Sequence, residues 1–153
     1  MNESRTRQTA SRWLLRLGMV LFFVALLTGL LIPGLKNPRM GSSSHVVGLI
    51  GGTFLVVVGF LQPKLRLSPA PTIVVFWLAV YGAYVGWATR LAAAVWGAGG
   101  SMFPVTGNGL RGTPLQEGLV TFGALSLVPV LLIMSLMILW GLRGAETPQG
   151  QGT

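Results

Sequence analysis

Trp13-Leu14-Leu15-Arg16-Leu17-Gly18-Met19-Val20-Leu21-Phe22-Phe23-Val24-Ala25-Leu26-Leu27-Thr28-Gly29-Leu30-Leu31-Ile32 is an apolar run that ends at Pro33-Gly34. Its reading decides the fold. A helix of roughly 20 residues spans the ~30 Å hydrocarbon layer of a bilayer. The basic start and apolar centre also suit a secretory leader. The run is longer than a leader core, however, and Pro33-Gly34-Leu35-Lys36 lacks a cleavage site of small residues. The sequence predicts a retained helix.

Three further segments have the same character. They cover residues 44–61, 72–96 and 115–142. Pro63 stops the second, Pro69 and Pro71 precede the third, and Pro129 inside the fourth is expected to kink it. The predicted fold class is all-α, a four-transmembrane-helix bundle over residues 13–143. A basic segment, 1–12, precedes it. The polar tail 144–153 is expected to be disordered.

Composition agrees. Hydrophobic residues make up 52% of the chain and charged residues 9%, against roughly 25% charged in soluble domains. The net charge of +8 does not indicate nucleic acid, because the basic residues lie at the ends of apolar segments. Arg5, Arg7, Arg12, Arg16, Lys64, Arg66 and Arg143 fall on one side, against Lys36, Arg39 and Arg111 on the other. This bias predicts a bacterial-type inner-membrane protein with both termini in the cytoplasm. Trp13, Trp77, Trp96 and Trp140 near segment ends suit an aromatic belt.

The inventory of reactive groups is short. There is no cysteine and no aspartate, and His45 is the single histidine. Thiol chemistry, disulfides and histidine-rich zinc sites are excluded. No phosphate-binding loop or dinucleotide fingerprint occurs. A metal or cofactor needing a strong nitrogen ligand has one candidate, His45. It can equally hydrogen-bond at the interface, with Ser42, Ser43 and Ser44 as a helix cap.

Gly48 and Gly52 share the helix face of His45. This bare face suits either close helix packing or a flat cofactor. On the third segment Gly82, Gly86 and Arg90 form a stripe flanked by Tyr81 and Tyr84. Arg90 can snorkel to the outer interface, pair with Glu117, or hold an anionic group. Topology collects His45, Arg90, Arg111 and Glu117 in the outer half of the bundle. The glycine-rich loop 97–114 lies above them and is long enough to be functional.

The run Asn37-Pro38-Arg39-Met40-Gly41-Ser42-Ser43-Ser44-His45 resembles the hydroxylaminobenzene mutase family. So do Tyr81-Gly82-Ala83-Tyr84 through Trp87 to Trp96-Gly97-Ala98-Gly99, and Leu139-Trp140-Gly141-Leu142-Arg143. The resemblance runs from about Gly29 to Arg143. More distantly the layout is similar to styrene oxide isomerase, a four-helix membrane enzyme. It implies a homotrimer binding haem b through His45 as iron ligand, with Gly48 and Gly52 beside the cofactor. Arg90 and Arg111 are then candidates for its propionates, and Tyr81 and Tyr84 candidate catalytic donors. The implied reaction is a redox-neutral rearrangement of a small apolar aromatic substrate: arylhydroxylamine to aminophenol, or aryl epoxide to aldehyde. Iron would act as a Lewis acid. The family commonly has an asparagine six residues after the histidine and another in the third helix, where this chain has Gly51 and Gly86.

Two other readings stay open at the level of sequence. One is a haem-binding membrane protein without isomerase activity. The other is a cofactor-free membrane scaffold whose glycine faces serve helix packing alone.

Overall fold

A computed structural model describes residues 3–143 of the chain. Four long helices account for nearly all of it: α1 (Glu3–Leu31), α2 (Pro38–Leu61), α3 (Pro69–Trp96) and α4 (Pro114–Gly141). Each is long and apolar enough to cross a membrane. No strand occurs among the described residues. Short 3-10 turns, Ile32–Gly34 and Gln62–Lys64, follow α1 and α2. Pro33 and Pro63 sit in these turns, where a missing N–H and a fixed φ halt an α-helix. Gly97 ends α3 with φ of 67°, a left-handed conformation that glycine adopts at little cost.

The helices begin earlier than their apolar runs predict. α1 starts at Glu3 and takes in the basic segment, because nothing in Arg5 to Arg12 breaks a helix. α2 starts at Pro38, so most of the Asn37–His45 motif forms its first two turns. The cap is Asn37, whose Oδ1 accepts from the Met40 N–H at 3.1 Å. The serines therefore do other work. Ser42 donates to the Pro38 carbonyl, and Ser44 donates across the bundle to the Trp87 carbonyl. α4 runs without interruption through Pro129. The tail 144–153 lies outside the described residues.

Packing is tightest where α1 crosses α2. A Cβ on Gly18 would lie 2.7 Å from the Gly52 carbonyl oxygen, and one on Gly52 would lie 2.8 Å from the Gly18 carbonyl oxygen. The two backbones are in direct contact. In lipid, side chains gain nothing by leaving a phase as apolar as themselves, so close backbone approach supplies the association. Around this crossing Leu14, Leu21 and Leu55 are fully buried, with Val75 and Ala79 of α3 beside them.

α3 packs on α2, and α4 packs on α3. Gly123 of α4 sits against Thr89, and the Arg66 N–H donates to the Gly141 carbonyl at 2.8 Å. α4 makes no comparable contact with α1 or α2. Phe122, Leu132 and Leu136 on its outer side are more than half exposed.

Candidate functional site

His45 stands in the second turn of α2, half-buried, on the seam with α1. Its Nδ1 lies 2.7 Å from the Ala25 carbonyl oxygen. A carbonyl only accepts, so Nδ1 carries the proton and donates. The lone pair is left on Nε2. The ring lies against Gly29, where a Cβ would come within 2.9 Å of Nδ1 and Cε1. Thus α1 supplies both the acceptor that fixes the tautomer and the gap that admits the ring. This is the arrangement by which a second partner orients an imidazole for a metal.

The donor set limits what His45 can hold. No group of three or more His, Asp or Glu side chains gathers among the described residues. A bare ion would lack ligands, whereas a haem, which carries nitrogen ligands of its own, would need one imidazole from the protein. His45 fits that requirement.

The glycines beside His45 are packed. A Cβ on Gly48 would lie 2.6 Å from Ala25 Cβ and from Trp87 Cδ1, and Gly52 faces the backbone of α1. The bare face read from the sequence is filled by α1 and Trp87, so a flat group has no room on it. Trp87 is held there by its indole N–H, which donates to Thr28 Oγ1 at 3.3 Å.

A second feature lies on another face of α2. Between α2, α3 and α4 runs a cleft of about 250 Å³. Gly51, Gly82 and Gly86 form its walls, Phe54 and Leu131 line it further along, and Arg90 contributes the one charge. The Arg90 Nη1 donates to the Gly86 carbonyl at 3.0 Å. The guanidinium also lies over the Phe103 ring, 5.2 Å from its centroid. His45 is not part of this lining.

The connection from α3 to α4 is tied down. Glu117 Oε1 accepts from the N–H groups of Gly99 and Gly112, at 2.8 and 2.9 Å, and Oε2 accepts from Ser101 Oγ at 2.8 Å. Asn37, buried at the start of α2, donates from Nδ2 to the carbonyls of Thr106 and Gly107. The loop read as a possible cap is therefore anchored at both its flanks, and it presents Phe103 to Arg90.

The residues singled out in the sequence do not form one constellation within the chain. Arg90 and Glu117 do not pair, because the carboxylate is spent on loop amides. Arg111 is exposed on the loop. The Tyr84 hydroxyl donates to the Leu17 carbonyl at 3.0 Å, and Tyr81 shares a hydrogen bond with Ser126 at 2.9 Å. Both hydroxyls are thus engaged away from the cleft. Ala25 and Gly29 were not legible as functional residues, since their role is to meet a ring from another helix.

Comparison with known proteins is consistent with this architecture. The family model described as styrene oxide isomerase matches residues 10–143. Hydroxylaminobenzene mutase HabB of Ectopseudomonas oleovorans is 45% identical over 145 residues, covering 95% of this chain and 88% of the relative. Hydroxylaminobenzene mutase HabA of the same organism is 42% identical over 125 residues, covering 82% and 93%. No solved structure gives a significant match. With the match spanning all four helices, the chain belongs to the styrene oxide isomerase family.

Proposed function

We propose that this chain is a membrane-embedded, haem-dependent isomerase that converts arylhydroxylamines to aminophenols. The mutase relatives and the family match support the reaction class. The observation that carries the cofactor is His45, with Nδ1–H donated to the Ala25 carbonyl and Nε2 left as a ligand. Substrate and product are isomers, so no external oxidant or reductant is needed. Haem iron, when bound, supplies a Lewis acid for the hydroxylamine oxygen. The chain's own contribution is to hold the imidazole in one tautomer and one orientation, and to offer apolar surroundings that exclude water. The proposed assembly is a homotrimer in a bacterial-type inner membrane, with both termini cytoplasmic. A half-buried His45 at a helix seam leaves a side on which a second copy can seat.

A haem protein without turnover is the second reading. Its support is the cleft, which carries glycine at 51 and 86 and holds no side-chain amide or hydroxyl. One experiment addresses both readings. The protein is purified in mild detergent after expression with haem supply, and its spectrum is compared with that of His45→Ala. Phenylhydroxylamine turnover is followed by chromatography. A Soret band that vanishes in His45→Ala, together with aminophenol formation, is expected. A band without turnover favours the second reading, and equal haem in His45→Ala refutes the assignment of the ligand.

A further inference from the structure

Arg90 carries a charge to which the described chain offers no counter-ion. Of the three acidic residues in the sequence, Glu117 is committed to Gly99, Gly112 and Ser101. Glu3 begins α1 at the other end of the bundle, and Glu146 lies outside the described residues. A guanidinium has five N–H donors in a planar fork, and Arg90 uses one of its nitrogens on Gly86. Cations within a membrane span are costly, and those present pair with something or line a pathway.

Of the glycines lining the cleft, Gly51 and Gly82 are close-packed, a Cβ there meeting Ala83 Cβ at 3.3 Å and Leu131 Cδ2 at 3.0 Å; the room beside Arg90 lies at Gly86. Gly48 and Gly52 are glycine because backbones and rings press on them. Gly86 is different: its nearest neighbours to a Cβ would be Leu127 Cδ1 at 3.6 Å and Val47 Cγ1 at 3.7 Å, which is ordinary contact. An alanine would fit, so packing does not demand the glycine. What Gly86 provides is width, on the wall of the cleft just below the guanidinium. From Gly82 to Arg90 the wall extends about 12 Å along the helix.

We propose that this cleft binds aromatic carboxylates, with the carboxylate on the Arg90 guanidinium and the ring along the wall formed by Gly51, Gly82 and Gly86. A cavity of about 150 Å³ already admits benzene, so 250 Å³ accommodates a ring with its carboxylate. The planar fork matches a carboxylate through two parallel hydrogen bonds. Phe103 lies over one face of the guanidinium.

The test is binding, independent of turnover. Affinities for 2-naphthoate and its neutral analogue 2-naphthamide are measured by equilibrium dialysis. The haem-supplied protein in detergent is compared with Arg90→Gln, Arg90→Lys and His45→Ala. The carboxylate is expected to bind about tenfold or more tighter than the amide. That preference should be lost in Arg90→Gln, weakened in Arg90→Lys and kept in His45→Ala. Equal affinity for the two ligands in the unaltered protein overturns the inference, as does a preference that survives Arg90→Gln. Loss of haem from Arg90→Gln also overturns it, since the guanidinium would then serve the cofactor's own carboxylates. A carboxylate preference in a protein that turns over no arylhydroxylamine supports the inference and sinks the isomerase reading alone.

Discussion

Adding one methyl group at the α1–α2 crossing should loosen the bundle and the histidine together. In Gly52→Ala the new Cβ meets the Gly18 carbonyl oxygen and the Phe22 nitrogen at 2.8 Å, and Phe22 Cα at 3.0 Å. These are backbone atoms of α1 and have no rotamer by which to yield, so the helices must separate by several tenths of an ångström. Overpacking of this kind costs about 1–3 kcal/mol. Against it stands a gain of up to about 1 kcal/mol from replacing glycine in a helix. Gly118→Ala isolates the two effects. A Cβ at Gly118 meets nothing within 4 Å, so that variant keeps the gain without the clash. The difference between the variants is then about 1–3 kcal/mol, or roughly 5- to 150-fold in the unfolding equilibrium. Stability in detergent, followed by tryptophan fluorescence during denaturation, measures it. Separation of α1 from α2 also draws the Ala25 carbonyl away from His45, so on the proposed haem reading retention of the cofactor should fall in Gly52→Ala and hold in Gly118→Ala. Equal stability of the two variants would refute the backbone contact and the reasoning built on it.

Asn37→Ala removes the α2 cap and two bonds to the loop carbonyls of Thr106 and Gly107 in a buried place. It should lower stability by about 1–3 kcal/mol and speed amide exchange through residues 97–113, which hydrogen-exchange mass spectrometry reads directly. Tyr84→Phe should cost about 1 kcal/mol, through loss of the bond to Leu17, and leave turnover near that of the unaltered chain. A large fall in kcat at unchanged stability would instead place that hydroxyl among the reacting groups.

The four helices were legible because prolines and glycines punctuate the apolar runs: Pro33-Gly34, Pro63 and Gly97 follow the first three, and Pro69 and Pro114 open the last two. Helix starts were less legible. Polar residues such as Arg5 to Arg12 or Arg39 to Ser44 are compatible with helix and with coil, and hydropathy alone does not distinguish them. His45 was legible by elimination as the single imidazole. Its tautomer was not, because Ala25 is 20 residues away in sequence and contributes through its backbone. Gly48, Gly52, Gly51 and Gly86 look alike in a sequence, yet Gly48 and Gly52 are pressed by α1, Gly51 faces Ala83 of α3, and Gly86 leaves room beside the cleft. Spacing puts glycines on a face, and only the neighbouring helix decides what that face is for.

That α4 packs on α3 and not on α1 or α2 has a consequence, on the proposed reading, for how reactants reach this protein. The cleft exists because α4 packs on α3 without closing on α2, so its lining comes from three different helices. On the proposed reading of a membrane-embedded isomerase, a neutral aromatic reactant would arrive from the surrounding lipid. The concentration that governs occupancy is then the amount of compound per amount of lipid, not per volume of buffer. On that reading partitioning becomes part of selectivity, since a reactant's affinity for lipid sets how much of it stands at the mouth of the cleft.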